Sequence, residues 1–342
     1  MRVLIDITYA RRTPHSGTGV YVEQLVGALG ELPGVTVLEA ANDHRRPAAG
    51  GGVGSLGNAI TDLRWTQIEL PRRARAQRAD VIHHPLPALA HRCGTPQVIT
   101  VHDLAFELLP HHFAPAYRRY ARVTHRAAAR RAAAVICVSQ ATAGDVQSRW
   151  GVPAERIVVA PHGPGQTLTV THRDSPARHF LYVGDDEPRK NVRALVAAHE
   201  RYALAAEDPF PLVLAGAATV PAPRVRTEPD PSPARLAALY AGAVALIHPS
   251  VHEGFGLTAL EAMALGTPVI AVRSPAIEEV CGDAARYVDA PTAGALAAEL
   301  ARLAADSELR RDLGERGRRR AALFSWQRSA RAHLDAYALA AR

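Results

Sequence analysis

His248-Pro-Ser-Val-His-Glu-Gly-Phe-Gly-Leu-Thr-Ala-Leu-Glu-Ala-Met-Ala-Leu-Gly-Thr-Pro-Val-Ile-Ala271 reads as a glycine-rich turn, a helix and a strand, entered from a strand that closes near Ile247. Leu257, Leu260 and Met263 recur at helical spacing and offer one apolar face for packing. Gly254 and Gly256 let the backbone approach a ligand with no Cβ in the way. The helix tip that follows presents N–H groups without intrahelical partners and the positive end of a dipole, a ready site for an anion. Glu253 stands just before that tip and Glu261 about one turn inside it. Carboxylates do not themselves hold phosphate, but two of them suit the hydroxyls of a sugar and a ribose on either side of a pyrophosphate. Each glutamate alone is more simply a solvated surface residue. The whole block carries the ligand reading.

Working outward, short apolar runs alternate with helical patterns along the chain. Strands are expected at Val3–Ile7, Val35–Leu38, Val81–His83, Val98–Val101, Val135–Val138 and Ile157–Val159. A second series follows at Phe180–Val183, Leu212–Leu214, Val244–Ile247, Val269–Ala271 and Tyr287–Val288. Continuous apolar strands separated by helices indicate parallel sheets covered on both faces. The 342 residues suffice for about two domains. Pro161-His-Gly-Pro-Gly165 and the polar stretch reaching Arg178 interrupt every element, and the boundary is placed there. The expected division is 1–162, a linker 163–176, a second domain 177–325 and a last helix 326–342 that crosses back to the first. Glycine-rich Ala48–Gly57 reads as a surface loop that closes over a ligand or, more simply, as a disordered one. Leu296, Leu300 and Leu303 mark a helix, with Asp289 and Thr292 as candidate caps.

Apolar residues make up 48% of the chain, which predicts a packed interior. The net charge of +7 favours anionic ligands or surfaces without choosing among them. Of 40 basic residues Lys190 is the only lysine, which marks a position needing a compact ammonium. Cys93, Cys137 and Cys281 lack metal or disulfide spacing and read as reduced thiols. No 18-residue apolar run occurs, so neither membrane spanning nor export is expected, and the protein is placed in the cytoplasm. The pairs His83-His84 and His111-His112, read as strand neighbours, point to opposite faces and give no metal site. From Tyr117 to Ala134 a helix places Arg118, Arg122, Arg126 and Arg130 in one stripe, with alanine and valine on the buried side. A solvated face is the simpler reading, and contact with an anionic membrane at its inner face is the functional one.

The Glu253–Met263 block resembles the donor-site signature of retaining GT-B glycosyltransferases of family four, the mannosyltransferase-like group 1 enzymes. Ser16-Gly-Thr-Gly19, His102-Asp103, Val183-Gly184, Pro188-Arg-Lys-Asn191, Leu239-Tyr240, Ile277-Glu-Glu-Val280 and Phe324-Ser-Trp326 extend the resemblance along nearly the whole chain. It implies a GT-B fold, α/β with two Rossmann-like doubly wound domains facing a cleft. The implied activity is metal-independent transfer of a hexose, mannose-type by family habit, from a nucleotide-diphosphate sugar, which is a substrate rather than a cofactor. The acceptor would be a glycan, a lipid-linked sugar or a small molecule, held mainly by residues 1–162, and nucleic acid is not a partner.

By the same resemblance Arg189 and Lys190 would clamp the pyrophosphate together with the backbone of Gly254, Phe255, Gly256, Leu257 and Thr258. Glu261 would take the ribose and Glu253 hydroxyls of the transferred sugar. His102 would reach that sugar from the first domain, with Asp103 orienting nearby groups, while Gly17 and Gly19 form a loop near the donor phosphate. Asp185 after Gly184 and Thr258 depart from the family pattern, and so does the proline-rich stretch 216–235, which leaves the nucleobase open. Two rival readings stand beside this one. An NAD(P)-dependent oxidoreductase needs a tight GxGxxG turn, and Val22 stands where its third glycine would be. A non-catalytic two-lobed sugar-binding protein gives Lys190 and the glutamates no role.

Overall fold

Two six-stranded sheets, each wholly parallel, organise the chain. The computed structural model describes residues 1–44, 53–165 and 178–342. The first sheet comprises β1 (Arg2–Asp6), β2 (Thr36–Ala40), β3 (Val81–His84), β4 (Gln97–Val101), β5 (Ala134–Cys137) and β6 (Ile157–Val159), in the order β2-β1-β3-β4-β5-β6. The second comprises β7 (His179–Val183), β8 (Leu212–Ala215), β9 (Val225–Glu228), β10 (Ala243–His248), β11 (Val269–Val272) and β12 (Ala285–Val288). Its order is β12-β11-β10-β7-β8-β9. That order reverses between β7 and β10, which opens a crevice beyond their carboxyl ends where doubly wound folds bind ligands. Every residue of β3, β4, β5 and β10 is buried, the polar His83, His84, Gln97, Thr100 and His248 included, as strands covered on both faces require.

The helices used below are α1 (Gly17–Gly30), α2 (Val53–Arg64), α3 (Leu70–Ala76), α4 (Pro115–Arg131), α5 (Val192–Ala205), α6 (Leu257–Leu265), α7 (Ala293–Ala305) and α8 (Trp326–Ala340). The chain separates into two units, Met1–Gly163 with Trp326–Arg342, and Pro164–Ser325. In the second unit Leu195 of α5 and Leu296, Leu300 and Leu303 of α7 pack in one core with Phe180, Leu214 and Ile247. Thr292 caps α7 through the Ala295 N–H, whereas Asp289 pairs instead with Arg273 at 2.5 Å.

In the first unit α8 lies on a buried polar chain. Tyr337 bonds His83 Nδ1 at 2.9 Å, His83 Nε2 bonds Thr100 at 2.8 Å, Tyr21 of α1 bonds Thr100 at 2.8 Å, and His333 Nε2 bonds Tyr21 at 2.8 Å. Trp326 stacks on His162 with ring centroids 5.3 Å apart. Burial holds His83 and His162 well below the usual histidine range and brings His333 to about 4, with neighbouring imidazoles adding to the effect.

Several local expectations need correction. Val225–Glu228 forms the edge strand β9, which its charged Arg226 and Glu228 concealed. Of the Ala48–Gly57 loop, residues 48–52 lie outside the described residues, and Val53 already begins α2. The linker 163–176 lies outside them from residue 166. His111 and His112 sit on a single 3-10 turn, Pro110–His112, rather than on a strand. The arginine helix ends at Arg131 because Ala134 is already in β5, and Val123 is 65% exposed rather than buried. Arg118 donates to the Pro110 carbonyl at 3.0 Å and Arg130 to the Trp150 carbonyl at 2.6 Å, so half the stripe is tied into the fold. The cysteines are free; Cys137 and Cys281 are buried and their thiols are pushed up to about 12 by burial, whereas Cys93 is partly exposed.

Candidate active site

Two loops meet at the point where the second sheet reverses order. One leaves β7 and carries Glu187, Arg189 and Lys190; the other leaves β10 and carries Glu253. Gly184 begins the first loop with φ +148, and a Cβ there would lie 2.9 Å from the Tyr182 hydroxyl, which itself donates to the Asp185 carbonyl at 2.6 Å. The loops are joined by a backbone bond, Val251 N–H to the Arg189 carbonyl at 2.9 Å.

Glu253 is the hub. Its Oε1 accepts from Lys190 Nζ at 2.7 Å and its Oε2 lies 3.3 Å from Arg189 Nη1, while Arg189 Nε also donates to Glu187 at 2.8 Å. Burial works to raise the Glu253 carboxyl, but the Lys190 ammonium, the Arg189 guanidinium and His248 hold it well below the usual carboxylate range. His248, 3.7 Å from Glu253 Oε1, is lowered to about 4 by burial and is therefore neutral at pH 7. An ionised carboxylate has about four acceptor positions, so Glu253 can hold both cations and still accept from a hydroxyl. Buried polar atoms of Asp185, His248, Ser250 and His252 around it have no hydrogen-bond partner among the described residues.

Helix α6 follows. Gly256 caps it at φ +107 with no side-chain bond to the first turn, and a Cβ there would come within 2.5 Å of Ile277 Cδ1. The first-turn N–H groups at Leu257 and Thr258 are thus presented as the sequence block anticipates. Leu260 and Met263 are fully buried, each contributing about 1.5–3 kcal/mol towards holding the helix down. Phe255 packs edge-on to Phe324 at 5.9 Å, and Gly254 is buried beside it. Glu261 is buried and accepts from Tyr240 OH at 2.8 Å; the same hydroxyl lies 3.5 Å from the Thr258 carbonyl. Burial, then the Glu261 charge, keeps the Tyr240 phenol protonated far above its ordinary range.

The remaining sequence candidates belong to the first unit. His102, directly after β4, bonds the Pro85 carbonyl through Nε2 at 3.0 Å, and Tyr21 packs edge-on against it at 5.0 Å. Burial lowers its pKa, opposed by the Pro85 bond and Asp103. Since a carbonyl only accepts, Nε2 carries the proton and Nδ1 is the acceptor. Asp103 takes the Ala105 N–H at 2.9 Å and so caps the next turn. Gly17 and Gly19 are not on a loop: they form the first turn of α1, where Ser16 caps the Gly19 N–H. A Cβ on Gly19 would strike the Thr13 carbonyl at 2.1 Å, which explains the glycine by packing.

Tyr240, His248 and Ser250 have no role in the reading of the sequence, although Leu239-Tyr240 is among the segments that carry the resemblance. Among the described residues no group of three or more His, Cys, Asp or Glu is placed to hold a metal ion. No helix among them is long and apolar enough to cross a membrane.

Solved structures share this architecture throughout. Sucrose-phosphate synthase from Thermosynechococcus elongatus superposes with TM-score 0.75 at 21% identity, covering 99% of this chain and 98% of that one. Anabaena HepE in complex with UDP and glucose gives 0.72 at 16% identity, covering 98% of each. Two parallel-sheet units of this kind define the GT-B glycosyltransferase class. Residues 15–163 match the model of Glycosyltransferase Family 4 and residues 170–320 that of the glycosyl transferases group 1. O-antigen chain mannosyltransferase B of Escherichia coli is 29% identical over 300 residues, 79% of this chain and 78% of that protein. The MMP alpha-(1->4)-mannosyltransferase of Mycolicibacterium hassiacum is 34% identical over 214 residues, 58% of this chain and only 52% of its own length. The chain belongs to the group 1 glycosyl transferases and is a glycosyltransferase.

Proposed function

We propose that the second unit binds a nucleotide-diphosphate sugar beyond β7 and β10, and that its hexose is transferred with retention of anomeric configuration. The Lys190–Glu253–Arg189 arrangement beside the glycine-capped tip of α6 carries this reading. Arg189, Lys190 and the first-turn N–H groups take the diphosphate, whose charge grows as the glycosidic bond breaks. Glu253 orients both cations and accepts from a sugar hydroxyl. Glu261, aligned by Tyr240, takes the ribose. Tied to two cations, Glu253 is a poor nucleophile. The acceptor hydroxyl instead bonds to the anomeric carbon on the face the diphosphate leaves, the carbon–oxygen bond to the diphosphate breaks, and the hydroxyl proton passes to a departing phosphate oxygen.

Mannose is the favoured hexose because two relatives are named mannosyltransferases; the acceptor class is a glycan, a lipid-linked sugar or a small molecule. Thermal-shift screening of nucleotide sugars, followed by NMR assignment of product anomers, tests the reading. Stabilisation by a nucleotide sugar and a product with the donor's configuration are expected. Stabilisation by NAD(P) alone, or an inverted product, overturns it.

Contact of the first unit with an anionic membrane is a second reading, favoured by the outer face of α4. Tyr120 and Val123 are 62% and 65% exposed there, with Tyr117 also exposed, beside exposed Arg119 and Arg122. Sedimentation with phosphatidylglycerol vesicles should pull down the protein, and Arg119→Glu/Arg122→Glu should abolish it. Equal recovery with phosphatidylcholine removes this reading.

A further inference from the structure

We propose a second anion site, taking a phosphate group, in a cavity at the amino-terminal edge of the first sheet. The cavity, of about 260 Å³, is walled by Arg72 and Arg75 of α3 and by Arg92, with Ile68, Cys93 and Gly94 completing it. Helix α3 runs down to β3, and residues 92–95 lead into β4, so the cavity opens at the edge opposite His102, which follows β4. Ligand sites for larger molecules run to about 300–1,000 Å³, so this one suits a small anion or a headgroup rather than a whole nucleotide.

Charge and preorganisation carry the inference. Three arginines from two separate segments line this open-sided cavity, each of them exposed, and among the described residues none of them has an ion pair. Nearby Arg64, by contrast, pairs with Glu69 at 2.9 Å and Arg73 lies over the Trp65 ring at 5.1 Å. Like charges gathered at one cavity repel unless an anion lies among them, and guanidinium forks match phosphate oxygens. The wall is braced in advance. Gln67 donates to the Leu89 carbonyl and accepts the His91 N–H, both at 2.9 Å, fixing the segment that carries Arg92.

The phosphate could be free in solution or carried on a lipid. Ile60 and Leu63 stand exposed three residues apart on α2, and Ile68, which lines the cavity, is exposed on the π-helical turn Trp65–Glu69 that follows, so exposed apolar side chains lead up to the cavity. Cys93 supplies a built-in reporter, since Cys137 and Cys281 are buried. Its alkylation by iodoacetamide is to be followed by mass spectrometry with pyrophosphate, with phosphatidic acid vesicles and with phosphatidylcholine vesicles. Saturating ligand should slow Cys93 alkylation about fivefold or more. Lys190→Ala should leave this protection intact, which separates it from the donor site, and Arg72→Ser/Arg75→Ser/Arg92→Ser should remove it; Arg92→Ser alone should weaken it. Protection by pyrophosphate identifies a soluble phosphate, and protection by phosphatidic acid alone a lipid headgroup. No protection by either, or equal protection in the triple variant, overturns the proposal.

Discussion

Lys190 illustrates what a single residue can reveal. In a chain whose other basic residues are all arginine, it stands where Nζ must fit 2.7 Å from a buried carboxylate oxygen that Arg189 also approaches. Composition exposed the position; its pairing with Glu253 could not be read, because 63 residues separate the two. Tyr240 was beyond sequence reasoning for a different cause. Its hydroxyl acquires a purpose only when α6 is laid beside it and Glu261 becomes buried. These placements predict a split in steady-state kinetics. Lys190→Ala should lower kcat by about 100-fold or more with a small change in donor KM, because the ammonium meets charge that grows in the transition state. Glu261→Gln should raise donor KM about tenfold with kcat nearly preserved, since a ribose contact is made equally in both states. Identical effects of the two substitutions would contradict the assigned roles.

At the level of elements, helix α6 was legible because two local signals agreed: glycines before it and apolar residues at its spacing. Gly256 tests that agreement. Its φ of +107 lies where side chains are strained, and an added Cβ would collide with Ile277. Gly256→Ala should destabilise the second unit by about 1–3 kcal/mol, measured by urea unfolding, and shift the helix tip that faces the diphosphate. Unchanged stability would mean that the backbone there relaxes freely. Strand β9 shows the opposite case. At a sheet edge the ladder needs no apolar run on both faces, so Val-Arg-Thr-Glu pairs with β8 while reading as a loop. Gly17 and Gly19 read as a loop, whereas they open a helix in which Gly19 packs against the Thr13 carbonyl.

Across the whole molecule, the alternation of strands and helices was enough to show two parallel-sheet units, but not the polar chain that binds α8 to α1 and β3. That chain makes stability depend on pH. Unfolded histidines take up a proton near 6.5, whereas His333, held at about 4 when folded, does not. The unfolded state therefore binds more protons, and stability falls as pH drops from about 6.5 to about 4; His333 alone accounts for about 3 kcal/mol. Trp65, Trp150 and Trp326 all lie in the first unit, so tryptophan fluorescence in urea at stepped pH reports this unit specifically. A midpoint constant over that range would show that the histidines are not held neutral. The placement of α8 also sets an order on biosynthesis. A ribosome delivers residues 1–163 first, yet the helix that seals Tyr21 and His83 emerges only after all of residues 164–325 have been translated. The nascent first unit must wait with those polar groups unsealed, an interval in which a chaperone would find its docking surface open.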